Sequence, residues 1–266
     1  MLCDHFAVET LQTPQTLTRR VLRNEVLLVL GVSLGQSAVY SVVSLIAKLT
    51  RETPLSQQTT AMNTSQAPGR PWLDLTYQLL GVFFAIVPAL LAVHLLNRDH
   101  DGNARADLGL DRRRPWFDLG TGTALAALVG LPGLGLYVVA RELGINTTVA
   151  AANLPEVWWA VPVLILAAAA NGVLEEIVVV GYLLTRLREL GWRTWHAVAA
   201  SALLRGSYHV YQGVGAFIGN TIMGAVFALF FLRTRRLLPL VIAHTVLDVG
   251  AFVGYMVLRG KVGFLT

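Results

Sequence analysis

Apolar and polar positions in this chain separate by segment, with little alternation inside the segments. Apolar runs of the length that crosses a hydrocarbon core, roughly 17–25 residues, recur seven times. They lie near 26–47, 75–96, 119–140, 158–184, 195–211, 216–232 and 237–258. The pattern predicts helices throughout, because a backbone in lipid must satisfy its own hydrogen bonds. Gly130, Pro132 and Gly133 predict a kink in the third run. The spacings Gly31…Gly35 and Gly215…Gly219 predict close helix contacts. The segment 53–71 is rich in Ser, Thr, Gln and Pro and reads as a flexible loop.

Charge refines this picture. Arginines gather in the N-terminal arm (Arg19, Arg20, Arg23) and at Arg112–Arg114. They gather again at Arg186, Arg188 and Arg193, and at Arg233, Arg235 and Arg236. The other three loops are poor in them. Cytoplasmic loops carry the excess of Lys and Arg, so seven spans place the N-terminus in the cytoplasm and the C-terminus outside.

Composition agrees. Of 266 residues, 55% are hydrophobic and 14% charged, against about 25% charged in soluble domains. The expected fold class is an all-α, polytopic integral membrane helix bundle of about seven transmembrane helices. Its parts read as a cytoplasmic arm (1–25), a first group of helices (26–156) and a second group carrying the chemistry (157–266). The net charge of +5 belongs to topology, and no nucleic-acid partner is expected. Membrane lipid is. The single cysteine, Cys3, excludes an internal disulfide. Arginine used almost to the exclusion of lysine points to a bacterial plasma membrane.

Ionisable residues inside the apolar runs carry the candidate chemistry. Glu175 and Glu176 adjoin in the fourth run, with Asn171 four residues earlier. Arg205 and His209 share one face of the fifth run, and His244 and Asp248 one face of the seventh, each pair at i, i+4. A carboxylate at bilayer depth costs roughly 2.5–3.5 kcal/mol on insertion scales, so such residues need a partner or a task. At about 1.5 Å per residue, all three runs bring their polar groups near mid-bilayer. Adjacent helical residues point about 100° apart, so the two glutamates are expected to serve different surfaces. The chemistry suited to this set is water activation. A glutamate acts as general base, an imidazole donates to an oxyanion, and Asp248 fixes the tautomer of His244.

The order Glu-Glu, then His, then His-x-x-x-Asp resembles the CAAX protease and bacteriocin-processing enzyme (CPBP or Abi) family of intramembrane endopeptidases. Its motifs Glu-Glu-x-x-x-Arg, Phe-x-x-x-His and His-x-x-x-Asn/Asp stand here as EEIVVV, RGSYH and HTVLD, within about 171–250. The resemblance implies a hydrolase that cleaves a peptide or a lipidated, CAAX-like or bacteriocin-type protein near the cytoplasmic or middle depth of the membrane. It implies Glu175 as the base, His209 sharing the water, His244 and Asp248 on the oxyanion side, and Glu176 in support. Two positions depart from the pattern: Val180 replaces the first motif's arginine and Arg205 the second motif's aromatic residue. The two are read as one exchange, in which the guanidinium moves to the fifth run and pairs with Glu176.

Glu, His and Asp also bind zinc. The chain lacks His-Glu-x-x-His on one helix, and these residues come from three separate runs. No metal or other cofactor is expected, with zinc kept as the alternative. A small proton-coupled transporter and a non-catalytic immunity or scaffold protein are the competing functions; no internal repeat supports the transporter.

Overall fold

The computed structural model describes residues 18–99 and 102–261. Residues 1–17 of the N-terminal arm, with Cys3, lie outside them. The apolar runs form helices: α1 (Arg19–Gly31), α2 (Leu34–Leu49), α3 (Pro71–Asp99), α5 (Pro115–Glu142), α6 (Ala160–Glu175), α7 (Leu183–Glu189), α8 (Thr194–His209), α9 (Val214–Thr234) and α10 (Leu238–Leu258). A short α4 (Ala104–Asp107) precedes α5. Prolines open α3 and α5, where the missing N–H has no helical partner to lose. Gly144 and Gly191, at φ 76° and 88°, follow α5 and α7 in the left-handed conformation that ends helices.

The seven apolar runs all fall on these helices. Among the described residues, five helical stretches are long and apolar enough to cross a membrane: Pro71–Asp99, Pro115–Glu142, Ala160–Glu189, Val214–Thr234 and Leu238–Leu258. A sixth candidate is the pair α1–α2, bent by 52°. The helix of the remaining run, α8, has only 16 residues. It packs chiefly between α9 and α2. By length and composition the spans therefore number five to six, against the seven expected.

Small residues act differently from expectation at one place. A Cβ on Gly31 would meet nothing within 4 Å, whereas one on Gly35 would meet the backbone of Leu30 in α1. This pair serves the α1–α2 bend, where only Gly35 meets a neighbouring helix. Gly215 and Gly219 do pack across helices, against Ala140 and Leu136 of α5. The segment 115–142 runs as one helix through Pro132.

The surface is that of a protein in lipid. α2 exposes Val39, Tyr40, Val43 and Ile46, α3 exposes Phe83, Phe84 and Leu90, and α5 exposes Leu128 and Leu131. In water such patches would be unusually large. Trp72 and Trp158 meet edge to face at one end, and Trp116, Trp192 and Trp195 are exposed toward the other, as in interfacial aromatic belts. Two short parallel strands, β1 (Thr59–Ala61) and β2 (Thr148–Ala150), pair across the loops at the arginine-poor end. An all-helical reading misses them, since three-residue strands leave no periodicity.

At the opposite end two arginines are fasteners. Arg186 is buried and donates to Glu25 of α1 (2.9 Å), Asp99 of α3 (2.6 Å), Glu189 (2.8 Å) and the Leu95 carbonyl (3.1 Å). Tyr182 adds a hydrogen bond to Glu25. Arg236, just before α10, grips both oxygens of Asp118 at 2.6 Å and reaches Asp111.

Removing one partner of a buried charge network leaves the others uncompensated, at a cost of about 3–5 kcal/mol. Arg186→Ala is expected to lose that much stability in detergent-based denaturation, while the exposed Arg233→Ala stays within about 0.5 kcal/mol. The Arg113 N–H, and then the Arg236 guanidinium, hold the Asp111 carboxyl below the usual carboxylate range. A depressed carboxylate contributes stability above its unfolded value and loses it as pH falls through the native one. Asp111→Asn should therefore flatten the acid limb of the stability profile below about pH 4.

Candidate active site

Three helices bring their ionisable residues together midway along the bundle. α6 ends at Glu175, and from Glu176 to Tyr182 the chain widens into a π-helical segment before α7. Such widening inserts a residue into the helical ladder and frees carbonyls. The Val179 carbonyl accepts from the buried Ser201 hydroxyl of α8 at 2.9 Å, which ties the widened turn to the helix carrying Arg205 and His209. Two glycines let the helices approach. A Cβ on Gly172 would meet Thr245 and the Val241 carbonyl of α10; one on Gly206 would meet Thr221 and Phe217 of α9.

Glu176 lies at the centre and is fully buried. Its Oε1 accepts from Arg205 Nη2 at 2.7 Å and from His244 Nδ1 at 2.6 Å. The guanidinium thus pairs with the carboxylate expected from the exchange of motif positions. Arg205 is itself buried, lies 3.6 Å from Glu175 Oε2 through Nη1, and stacks over the Phe227 ring at 5.6 Å. Glu175 Oε2 accepts the Tyr208 hydroxyl at 2.7 Å.

Both glutamates therefore serve one cluster, which corrects the expectation of separate surfaces. The reason is local. The widened backbone begins at the second glutamate, and α8 and α10 flank it, so Arg205 and His244 together reach both carboxylates.

The ring orientations follow from the hydrogen bonds. His244 Nδ1 faces a carboxylate oxygen and so carries the proton, which turns Nε2 toward Glu175 Oε2 and Asp248 Oδ1, each at 3.8 Å. That is too long for a direct hydrogen bond. The tautomer of His244 is set by Glu176, not by Asp248 as the i, i+4 spacing predicts. The Nδ1 edge turns to α6, which Gly172 admits, and Asp248 comes alongside the other edge. Asp248 is held by Asn171 Nδ2 at 3.0 Å. His209 Nδ1 donates to the Arg205 carbonyl at 3.1 Å, which leaves Nε2 as its acceptor. His209, His244 and Arg205 all lie within electrostatic reach of Glu175.

Every residue singled out from sequence is thus in or beside this cluster. Tyr208 is the participant that sequence reasoning missed. Its signal is faint, a tyrosine next to a motif histidine within an apolar helix.

The donor set suits a protonated network better than zinc. Glu176 Oε1 and His244 Nδ1 are bonded to each other, and a guanidinium already supplies positive charge to both carboxylates. Among the described residues no group of three or more His, Cys, Asp or Glu is disposed as metal ligands.

Residues 157–250 match the family model of the type II CAAX prenyl endopeptidase, Rce1-like. The matched segment contains Asn171, Glu175, Glu176, Arg205, Tyr208, His209, His244 and Asp248. No curated protein and no solved structure matches the chain. The motif order and the matched segment agree: residues 157–250 are similar to the Rce1-like CAAX-protease family, in a chain whose helices are long and apolar enough to span a bilayer.

Proposed function

We propose that the protein is an intramembrane endopeptidase that hydrolyses a peptide bond of a membrane-associated substrate with water activated by Glu175. The observation that carries this reading is the unequal setting of the two glutamates. Glu176 Oε1 is taken by Arg205 and His244. Glu176 Oε2 is sealed in the interior without a donor, whereas Glu175, 8% exposed, has one oxygen on Tyr208 and no protein donor on the other among the described residues, so it is the carboxylate that a water can reach.

Glu175 accepts a proton from water as the water oxygen bonds to the scissile carbonyl carbon. His209 Nε2 accepts from the same water and orients it. The carbonyl π electrons move to oxygen, and this oxyanion is stabilised by His244 Nε2–H, when that ring is protonated, and by the Arg205 charge. Collapse re-forms the carbonyl and breaks the C–N bond, and Glu175 returns its proton to the departing amine. Asp248 holds the protonated form of His244 and is kept in place by Asn171. Glu176 positions Arg205 and His244.

The substrate class is a lipidated or hydrophobic peptide, matched to a site among lipid-facing helices. The arginine-rich end faces the cytoplasm by the positive-inside rule, in a bacterial plasma membrane.

The test is cleavage of a panel of prenylated, acylated and unlipidated peptides by purified protein in detergent. Glu175→Gln and His209→Asn should each lower kcat by about 10²–10⁴, the range of general-base contributions, with the fold intact. Activity should survive chelators. Wild-type protein that cleaves no member, or Glu175→Gln that cleaves as well as wild type, would overturn the reading. The two glutamates should also separate in stability. Glu176→Ala leaves Arg205 buried without its partner and should cost about 3–5 kcal/mol, whereas Glu175→Gln, which keeps the Tyr208 contact, should unfold close to wild type in the same denaturation assay.

A further inference from the structure

His209 is the last residue of α8, and the turn after it, Val210–Gln212, is fastened from outside the matched segment. Ser41 of α2 is buried, and its Oγ accepts the Tyr211 N–H at 2.8 Å. Lys48, seven residues later and so on the same helix face, donates from Nζ to the Tyr211 carbonyl at 2.6 Å. Both polar groups of one residue, two positions beyond His209, are thus held by α2. The Lys48 ammonium also lies 5.7 Å from the Tyr211 ring centre, at the carbonyl end of α8, where a cation is favoured by the helix dipole.

The fastening closes on itself. Lys48 Nζ donates to Thr60 Oγ1 at 2.5 Å, Thr60 and Thr147 share a hydrogen bond of 2.7 Å, and Thr147 donates to the Gln212 carbonyl through N (2.9 Å) and Oγ1 (3.1 Å). Two loops, joined by β1 and β2, and one helix therefore grip two successive residues after His209, Tyr211 and Gln212. Backbone groups at this depth need partners in any fold. The specific feature is that a helix from the first half of the chain supplies them beside the residue proposed to orient the water.

We infer that Ser41 and Lys48 are positioning residues that fix His209, so that the helices preceding the matched segment are a working part of its site. Misplacement of a catalytic group by about 1 Å is enough to cost about 10²-fold. The clamp rests on geometry alone; its effect on rate rests on the proteolytic reading.

The experiment uses full-length protein with ring-¹⁵N-labelled histidine, the His209 signal being assigned by its loss in His209→Asn. Ser41→Ala and Lys48→Met should shift the His209 ring nitrogens and leave those of His196 in place. They should lower kcat by about 10- to 100-fold at unchanged KM. Ser41→Thr and Lys48→Arg, which keep the acceptor and the donor, should restore both readouts. Thermal unfolding in detergent checks that each variant is folded. His209 signals unmoved in both folded clamp variants, or a kcat equal to wild type in both, would overturn the inference. If wild-type protein cleaves nothing, the proteolytic reading fails by itself, and the His209 signals alone decide the clamp.

Discussion

A carboxylate buried at the middle of a membrane bundle needs a cation, and here one guanidinium serves two of them. Arg205 lies 2.7 Å from Glu176 and 3.6 Å from Glu175, with no exposure to solvent. The ion pair joins α8 to the widened end of α6, and the imidazole of His244 adds α10 to the same oxygen. Interhelical packing in lipid draws little from the hydrophobic effect, so polar contacts of this kind determine which helices meet and in what register. Stability and chemistry therefore share atoms in this protein.

The shared dependence explains which features were legible in the sequence. The membrane class, the helical state and the polar cluster follow from apolar run length and from the improbability of charge at depth. The pairing of Arg205 with Glu176 was legible because the family's arginine position and its aromatic position depart together, and a stranded buried cation would be too costly to keep. The widened turn at Glu176–Tyr182 was not. EIVVVGY is as compatible with a regular helix, and the extra residue is accommodated only because Ser201 of another helix satisfies the Val179 carbonyl. The bond between Glu176 and His244 was hidden for the same reason. Local spacing favours Asp248, and only the approach of α6 to α10 at Gly172 gives Glu176 the advantage.

Arg186 and Arg236 show a second limit. In sequence they read as topology markers like their neighbours Arg188 and Arg235. In space each is buried against carboxylates from remote segments: Glu25 and Asp99 for Arg186, Asp111 and Asp118 for Arg236. The arginine-rich end thus does two jobs. Exposed guanidiniums remain available to the membrane surface, and buried ones lock α1 and α3 to α7, and α5 to the segment entering α10. No count of charges along the chain separates the two populations, because burial depends on which loops fold over the residue.

In the proposed mechanism the two adjacent glutamates divide a task that one carboxylate could not perform. A group that holds a buried arginine and fixes an imidazole must keep its oxygen on both, or both partners lose their geometry. A general base must do the opposite, changing protonation in every cycle and keeping an oxygen available. Glu176 has the first environment, with Oε1 shared by Arg205 and His244. Glu175 has the second, with one tyrosine hydroxyl for support and His209 nearby to receive the other hydrogen of the same water. Adjacency then becomes useful. The ion pair of Glu176 with Arg205 lies one residue from Glu175, so the surrounding charge would stay compensated while Glu175, in the proposed mechanism, takes up and returns a proton.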